Sequence, residues 1–127
     1  MPQPRLSVSS GYPFEDTYGY ARAVRVGNQV FVSGTTARGA DLDRDAYGQA
    51  TSAIGIVAEA LQKAGADPRH VVRTVVYVTD MADTDGVARA RSEAFGAVRP
   101  ASTLVKVAGL TPAIARVEIE ATAIVHD

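Results

Sequence analysis

Residues Val71 to Val78 have the sequence VVRTVVYV, and every one of them except Arg73 is β-branched or aromatic. Side chains of these types fit the pleated, buried surface of a sheet. A chain break at Ala66-Asp67-Pro68 comes shortly before this run. The stretch therefore predicts a strand that is buried on much of both faces.

Helical patterns lie on both sides of this strand. On the N-terminal side, apolar residues recur at helical spacing and Gly65 is a natural C-cap. These apolar residues are Ala50, Ala53, Ile54, Val57, Leu61 and Ala64. On the C-terminal side, Thr84 or Asp85 can cap a second helix that ends before Arg99-Pro100. The predicted inward stripe of this second helix is Val87, Ala90, Ala94 and Phe95.

A hairpin is predicted between Tyr20 and Ser33. Gly27-Asn28 separates two runs rich in valine, and both residues tolerate the positive φ that primed turns require. After Gly34 the polar stretch from Thr35 to Tyr47 predicts a surface loop, which supplies several caps for the following helix.

Two more strands are predicted, from Thr103 to Ala108 and from Ala115 to Val125. Whether a further strand forms around Leu6 to Val8 is left open by the pattern. The order β-β-α-β-α-β-β predicts an α+β fold in a single domain of residues 1–127, with two helices on one face of a mixed sheet. The opposite face then lacks cover, so we expect a homo-oligomer.

The composition excludes several classes of function. Thirteen lysines and arginines stand against 14 carboxylates, and neither sign forms a block, which argues against nucleic-acid or anionic-membrane partners. The chain has no cysteine, so disulfides and thiolate chemistry are excluded. No apolar run approaches the length of a membrane span and no apolar leader is evident at Met1, so a cytoplasmic protein is expected.

Four motifs occur in order along most of the chain. The first is Gly27-Asn28-Gln29-Val30-Phe31-Val32-Ser33-Gly34, and the second is the isolated Gln49. The third is Val71-Val72-Arg73-Thr74-Val75-Val76-Tyr77-Val78-Thr79-Asp80-Met81, and the fourth joins Arg99-Pro100-Ala101 to Val117-Glu118-Ile119-Glu120. In their joint occurrence the chain resembles the Rid (YjgF) family.

This resemblance implies a chorismate-mutase-like fold, a homotrimer packed through its sheets, and clefts for a small molecule between subunits. Family deaminases hydrolyse reactive enamines and imines without a metal or cofactor. The resemblance assigns ligand contacts to Tyr20, Ser33 and Gly34. It assigns to Glu118 the role of the acidic residue that activates water or transfers a proton.

The family's substrate-binding arginine has no counterpart here, because its segment reads Pro100-Ala101-Ser102-Thr103. An arginine fork binds a carboxylate bidentately, whereas Ser102 offers one donor and no charge. Hydrolysis of small 2-imino acids by the usual route is therefore not expected. Ser102 and Thr103 stay candidate ligand contacts by position.

Other cations and acids near these positions have two interpretations. Arg22 shares a strand face with Tyr20, and Lys106 shares one with Ser102, so either is able to supply a displaced cation. Arg89 stands near a ligand contact of the family's second helix. For all three, a solvated surface charge is the simpler interpretation. Glu118 and Glu120 point to one face, and Glu120 is interpreted as structural.

The histidines and glycines suggest no other chemistry. His70 and His126 have no spacing typical of metal ligation or of a catalytic dyad, and both are predicted at the surface. The segment from Gly34 to Gly39 lacks the lysine of a phosphate loop. Some relatives carry an endoribonuclease label, but no basic stripe or placed histidine supports RNA cleavage.

Two functions follow as hypotheses. The first is a cofactor-free hydrolase or deaminase for a small imine, enamine or carbonyl compound, with Glu118 as general acid and base. The second is a non-catalytic trimer that binds a metabolite or docks on an enzyme of its pathway.

Overall fold

A computed structural model describes residues 4–127 of the chain. The strands are β1 (Arg5–Val8), β2 (Ala23–Val26), β3 (Gln29–Thr35), β4 (Val71–Val78), β5 (Ala101–Lys106) and β6 (Val117–Ile124). The α-helices are α1 (Pro13–Tyr18), α2 (Ala46–Lys63) and α3 (Thr84–Phe95). Short 3₁₀ turns occupy Gly39–Asp43, Pro68–His70 and Met81–Asp83.

All six strands form one sheet, in the order β1-β2-β3-β6-β4-β5. The β4 strand pairs in parallel with β5 and antiparallel with β6, so the sheet is mixed, as predicted. The sequence did not decide whether a strand forms near Leu6, and in the structure this strand is present as β1. Gly27 has φ +60°, whereas Asn28 is not in the left-handed region, so a single positive φ suffices for the hairpin turn.

The two long helices pack on one face of this sheet. Every residue of the predicted α2 stripe is buried. In α3, Val87, Ala90 and Phe95 are buried, but Ala94 is exposed and its predicted burial is wrong. The large Phe95 ring occupies the buried position in the last turn, and its smaller neighbour stays at the surface.

The helix starts differ in how they are capped. The Asp45 side chain accepts a hydrogen bond from Gly48 N at 2.8 Å, which caps α2 from the polar stretch as expected. The predicted cap of α3 is wrong, because the turn at Met81–Asp83 runs directly into the helix. Thr84 is already helical, and its hydroxyl donates to Met81 O at 2.7 Å.

Two predictions of surface exposure are also wrong. Thr35, Thr36 and Ala37 are buried at the start of the predicted loop. His70 is buried because its Nδ1 accepts from Asp67 N at 3.1 Å and its ring packs edge-on against His126. His126 itself is exposed, as predicted.

Helix α1 was not predicted from the sequence. It is only six residues long, too short for a clear helical period, yet it has Pro13 in its first turn and Gly19 at φ +74° after its end. This asymmetry of proline and glycine is a usual signature of helix ends. The helix buries Glu15, which becomes important for the pocket described below.

The sheet face opposite the long helices is open. Phe31 and Val105 remain 47% and 39% exposed there. Strand register aligns Phe31 with Val24 and with Thr122, so the open face continues across several strands. Within residues 4–127, no helix has the length and apolar character needed to cross a bilayer.

Gln49 joins three separate backbone segments inside the protein. It is 1% exposed, and its amide nitrogen donates to Leu42 O at 3.0 Å and to Arg44 O at 3.2 Å. Its amide oxygen accepts from Arg116 N at 2.8 Å. The side chain thereby fixes the entry to α2 against the start of β6.

We expect Gln49→Met to lower the free energy of unfolding by about 2–3 kcal/mol, because it leaves buried backbone groups unpaired. Urea denaturation measures this change. Gln62→Met on the exposed side of α2 is the matched control, expected to stay within about 0.5 kcal/mol. Equal losses in the two variants would contradict the role of Gln49.

Candidate functional site

An open pocket of about 500 Å³ lies where α1 and the loop after β3 meet the ends of β3 and β6. Five residues singled out in the sequence line it, namely Tyr20, Arg22, Ser33, Gly34 and Glu118. The other lining residues are Tyr12, Phe14, Tyr18, Thr36, Arg38 and Thr111. The pocket therefore combines aromatic walls with two guanidinium groups and one carboxyl group.

A β-bulge shapes the floor of the pocket. Val32 pairs with Ala121 and Thr35 pairs with Ile119, so Ser33 and Gly34 together oppose a single residue of β6. Such a bulge bends the strand and re-aims its side chains. The Ser33 hydroxyl donates to Ala21 O at 2.7 Å, which ties the bulge to the chain before β2.

Gly34 packs directly against Glu118. A Cβ atom at position 34 would lie 2.6 Å from Glu118 Oε1, closer than non-bonded atoms approach. The space needed by the carboxyl group is therefore available only because residue 34 has no side chain. This gives a physical reason for glycine at the end of the hairpin strand.

Glu118 is a partly buried acid on the open face of the sheet. Val117 and Ile119 point to the core, so Glu118 and Glu120 share the other face, as predicted. Burial raises the pKa of Glu118; the nearby Arg22 charge opposes this shift and the Glu120 charge adds to it. Glu120 itself accepts a hydrogen bond from the Tyr77 hydroxyl and does not line the pocket.

Arg22 is not the solvated surface charge that the sequence suggested, since it is 1% exposed. Its Nε donates to Glu15 Oε2 at 3.1 Å, and its Nη1 donates to Gly34 O at 2.7 Å and Thr35 Oγ1 at 3.0 Å. Its Nη2 donates to the Tyr20 hydroxyl at 3.1 Å. Arg22 thus uses four of its five N–H groups to hold the pocket wall.

Glu15 balances the charge of Arg22 from helix α1. It also accepts hydrogen bonds from Ser10 N at 3.0 Å, from Ser9 Oγ at 3.2 Å and from the Ser10 hydroxyl. Burial alone would raise the pKa of Glu15, but the Ser10 hydrogen bonds and Arg22 outweigh it and lower that pKa. Glu15 is therefore ionised in the folded protein at neutral pH.

Arg38 is a second guanidinium group, and sequence reasoning missed it. Its Cζ lies 4.3 Å from the centroid of the Tyr12 ring, and its Nη2 is 3.8 Å from Glu15 Oε2. Burial and the neighbouring Arg22 charge lower the pKa of Arg38, and Glu15 opposes that shift. The one sequence signal was its position four residues after Gly34.

Ser102 lies apart from this pocket within the subunit. It pairs with Thr74, which points to the helices, whereas Glu118 pairs with Tyr77 and points to the open face. Ser102 Oγ is 2.8 Å from Thr74 Oγ1 and accepts from Arg91 Nη1 at 2.7 Å.

A second pocket, of about 220 Å³, surrounds Ser102. It is lined by Arg91, Ser92, Phe95, Gly96, Arg99, Pro100 and Ser102. No sequence pattern indicated Arg91, whose approach to Ser102 depends on how α3 packs over β5.

The remaining predicted site residues do not line the first pocket. Thr103 follows Ser102 on β5 and points to the opposite face. Lys106 is exposed at the end of β5. Arg89 is exposed on α3, where its Cζ lies 3.8 Å from the centroid of the Tyr47 ring. Across residues 4–127, no cluster of three or more His, Asp or Glu side chains is arranged to hold a metal ion.

Comparisons with known proteins agree with this architecture. Residues 14–125 match the family model described as Endoribonuclease L-PSP. A crystal structure of a YjgF/YER057c/UK114 family member from Mycobacterium tuberculosis superposes with a TM-score of 0.90 and 43% identity. That superposition covers 96% of this chain and 100% of the other.

Two curated relatives extend the comparison. An uncharacterised protein of Streptomyces coelicolor is 40% identical over 91% of this chain and 89% of its own length. The 2-iminobutanoate/2-iminopropanoate deaminase of Mus musculus is 33% identical over 83% of this chain and 80% of its own length.

The fold therefore defines a YjgF-like α+β protein, with a six-stranded mixed sheet covered by two long helices on one face. The chain belongs to the Rid (YjgF) family.

The raised pKa of Glu118 predicts a pH-dependent effect on stability. A carboxyl group whose pKa is higher in the folded than in the unfolded state destabilises the fold as pH rises through the folded value. We expect Glu118→Gln to raise the melting temperature at pH 8 and to lose this advantage toward about pH 4. Scanning calorimetry at both pH values measures it.

Glu59→Gln is the matched control, because Glu59 is an exposed acid on α2 that pairs with Lys63. It should shift the melting temperature little at either pH. A Glu118→Gln advantage of the same size at pH 4 and pH 8 would contradict the burial of an ionisable carboxyl group.

Proposed function

We propose that this protein is a cofactor-free enzyme that hydrolyses a small imine or enamine in the pocket of Glu118. The observation that carries this proposal is the partly buried Glu118 carboxyl group with a raised pKa, beside a guanidinium group in an open pocket. General acids and bases work best when their pKa lies near the working pH. The mouse relative named as an imine deaminase supports this reaction class.

The proposed reaction adds water across the C=N bond of an imine and releases ammonia; an enamine first tautomerises to this imine, as its N–H proton is lost and its β-carbon gains one. Protonated Glu118 donates its proton to the imine nitrogen, and water attacks the carbon while giving a proton to the Glu118 carboxylate. The resulting carbinolamine then receives that proton on nitrogen. The C–N bond breaks as the C=O bond forms, and the hydroxyl proton returns to Glu118. One carboxyl group therefore completes the cycle unchanged.

The other pocket residues have supporting roles in this proposal. The Tyr20 hydroxyl, fixed by Arg22, and the bulged backbone at Ser33 and Gly34 orient the substrate. The aromatic walls formed by Tyr12, Phe14 and Tyr18 provide apolar surface for the carbon atoms of the substrate. Ser102 and Thr103 would contribute only if a neighbouring subunit brings them to this pocket.

A non-catalytic metabolite-binding protein is the second candidate function. The observation that favours it is the absence of an arginine at position 102. A ligand would then bind reversibly in the pocket, and every tested imine would decay at its spontaneous rate.

The catalytic proposal is tested with imines generated in the assay from amino acids, with ammonia release as the measurement. We expect Glu118→Gln to lower the enzymatic rate at least about a hundredfold. We expect Gly34→Ala to lower it at least about tenfold, because the new Cβ displaces the Glu118 carboxyl group.

Gly55→Ala is the matched control for Gly34→Ala, since a Cβ at the exposed position 55 of α2 meets nothing within 4 Å. It should leave the rate unchanged and stabilise α2 slightly. Full activity in Glu118→Gln would refute the role of the acid. Reversible binding of a substrate analogue without any turnover would favour the second function.

We also propose that the protein is a homotrimer that packs through the open face of its sheet. The support is the uncovered face, which carries the apolar side chains of Val24, Val26, Phe31 and Val105 as well as Glu118 and Glu120. Soluble proteins rarely leave such a surface exposed. A trimer of this kind would put a neighbouring chain next to the rim of each pocket.

We expect Phe31→Lys to dissociate the trimer into monomers, because it places a charge in the centre of the buried contact. Light scattering coupled to gel filtration measures the mass. Leu6→Lys is the control, because Leu6 is 46% exposed but shares the helix-side face of β1 with Val8. A wild-type monomer, or a trimer that survives Phe31→Lys, would overturn this assembly.

A further inference from the structure

We propose that Arg38 is the specificity-determining residue of the Glu118 pocket and that it binds the anionic group of a small carboxylate substrate. This inference rests on the proposed function of that pocket. In this proposal Arg38 supplies, from the same subunit as Glu118, the positive charge that Ser102 lacks.

The charges around Arg38 leave one cation uncompensated. Arg22 and Arg38 both approach Glu15, but Arg22 does so with a hydrogen bond of 3.1 Å, and Arg38 stays at 3.8 Å. Glu15 is a single negative charge and pairs with Arg22. When Glu118 is protonated, these four groups carry a net charge of +1, which matches a substrate with one carboxylate.

The donors of Arg38 are available to a ligand. Arg22 uses four of its five N–H groups on protein atoms, whereas the Arg38 guanidinium donates to no acceptor within the part of the chain that the structure describes. Arg38 is 24% exposed and lines the pocket. A planar fork with free N–H groups is the arrangement that binds a carboxylate bidentately.

Aromatic packing holds this fork in place before a ligand binds. The Arg38 Cζ lies 4.3 Å from the centroid of the Tyr12 ring, and the Arg22 Cζ lies 5.8 Å from the same centroid. Cation–π contact restrains the guanidinium group without using its N–H donors. Less conformational entropy is then lost when a carboxylate binds.

The rival position is the second pocket, where Arg91 contacts Ser102. Within one subunit Ser102 and Glu118 lie on opposite faces of the sheet, so Arg91 does not line the pocket of Glu118. Arg91 also already donates to Ser102 Oγ. We therefore assign the anion to Arg38 and treat Arg91 as the alternative that the experiment must separate.

The experiment compares two substrates, 2-iminopropanoate and its uncharged methyl ester, in the whole 127-residue chain. We expect Arg38→Gln to raise KM for the carboxylate about tenfold to a hundredfold and to affect the ester much less. Arg38→Lys should recover part of the loss, because it keeps the charge but not the fork. Glu118→Gln should lower kcat for both substrates alike.

Two further variants complete the design. Arg44→Gln removes an exposed arginine that pairs with Asp41 and is the matched control. Arg91→Gln tests the rival pocket, and a higher KM for the carboxylate in that variant but not in Arg38→Gln would overturn the assignment. Equal losses for the ester and the carboxylate in Arg38→Gln would also overturn it.

Binding of pyruvate separates failure of this inference from failure of the proposed function. If the wild type hydrolyses neither imine, the catalytic proposal fails, and calorimetry with pyruvate still tests Arg38. Weaker binding in Arg38→Gln, by about tenfold or more, supports the anion site. Equal binding in the two proteins, or no binding to the wild type, refutes it.

Discussion

The buried ion pair between Glu15 and Arg22 is the constraint on which the pocket depends. Taking two charges out of water is costly, and the cost is recovered only when the remaining donors and acceptors are satisfied. Both partners meet this condition, since Glu15 accepts from Ser9 and Ser10 and Arg22 donates to Gly34 O, Thr35 Oγ1 and the Tyr20 hydroxyl. The pair thereby connects α1, the chain before β2 and the bulge of β3.

The two faces of the sheet have different roles: one forms the core, and the other carries the candidate catalytic acid. Residues such as Val117 and Ile119 point to the helices and form the core, whereas Glu118 points to the open face. The bulge places Ser33 and Gly34 at the edge of the pocket, and the missing side chain of Gly34 leaves room for the Glu118 carboxyl group beside β3.

The sequence predicted the sheet, the two long helices and the hairpin because these depend on local periodicity and turn chemistry. It also indicated Glu118, Gly34 and Tyr20, through a resemblance that extends along most of the chain. It did not predict the burial of Arg22, because a charged residue two positions from a tyrosine has no local signal for an ion pair. That ion pair depends on α1, a helix of six residues. The sequence signals for this helix are Pro13 near its start and Gly19 after its end.

Gly34 and Glu118 occupy space that only one of them can fill. A chain that gains a side chain at position 34 must therefore shorten or move the acid on the neighbouring strand. The dependence has one direction, because a smaller residue at position 118 leaves Gly34 without a clash, whereas a side chain at position 34 displaces the acid. A differently shaped pocket is therefore reached with less disturbance by shortening residue 118 on β6 first than by enlarging residue 34 on β3 first.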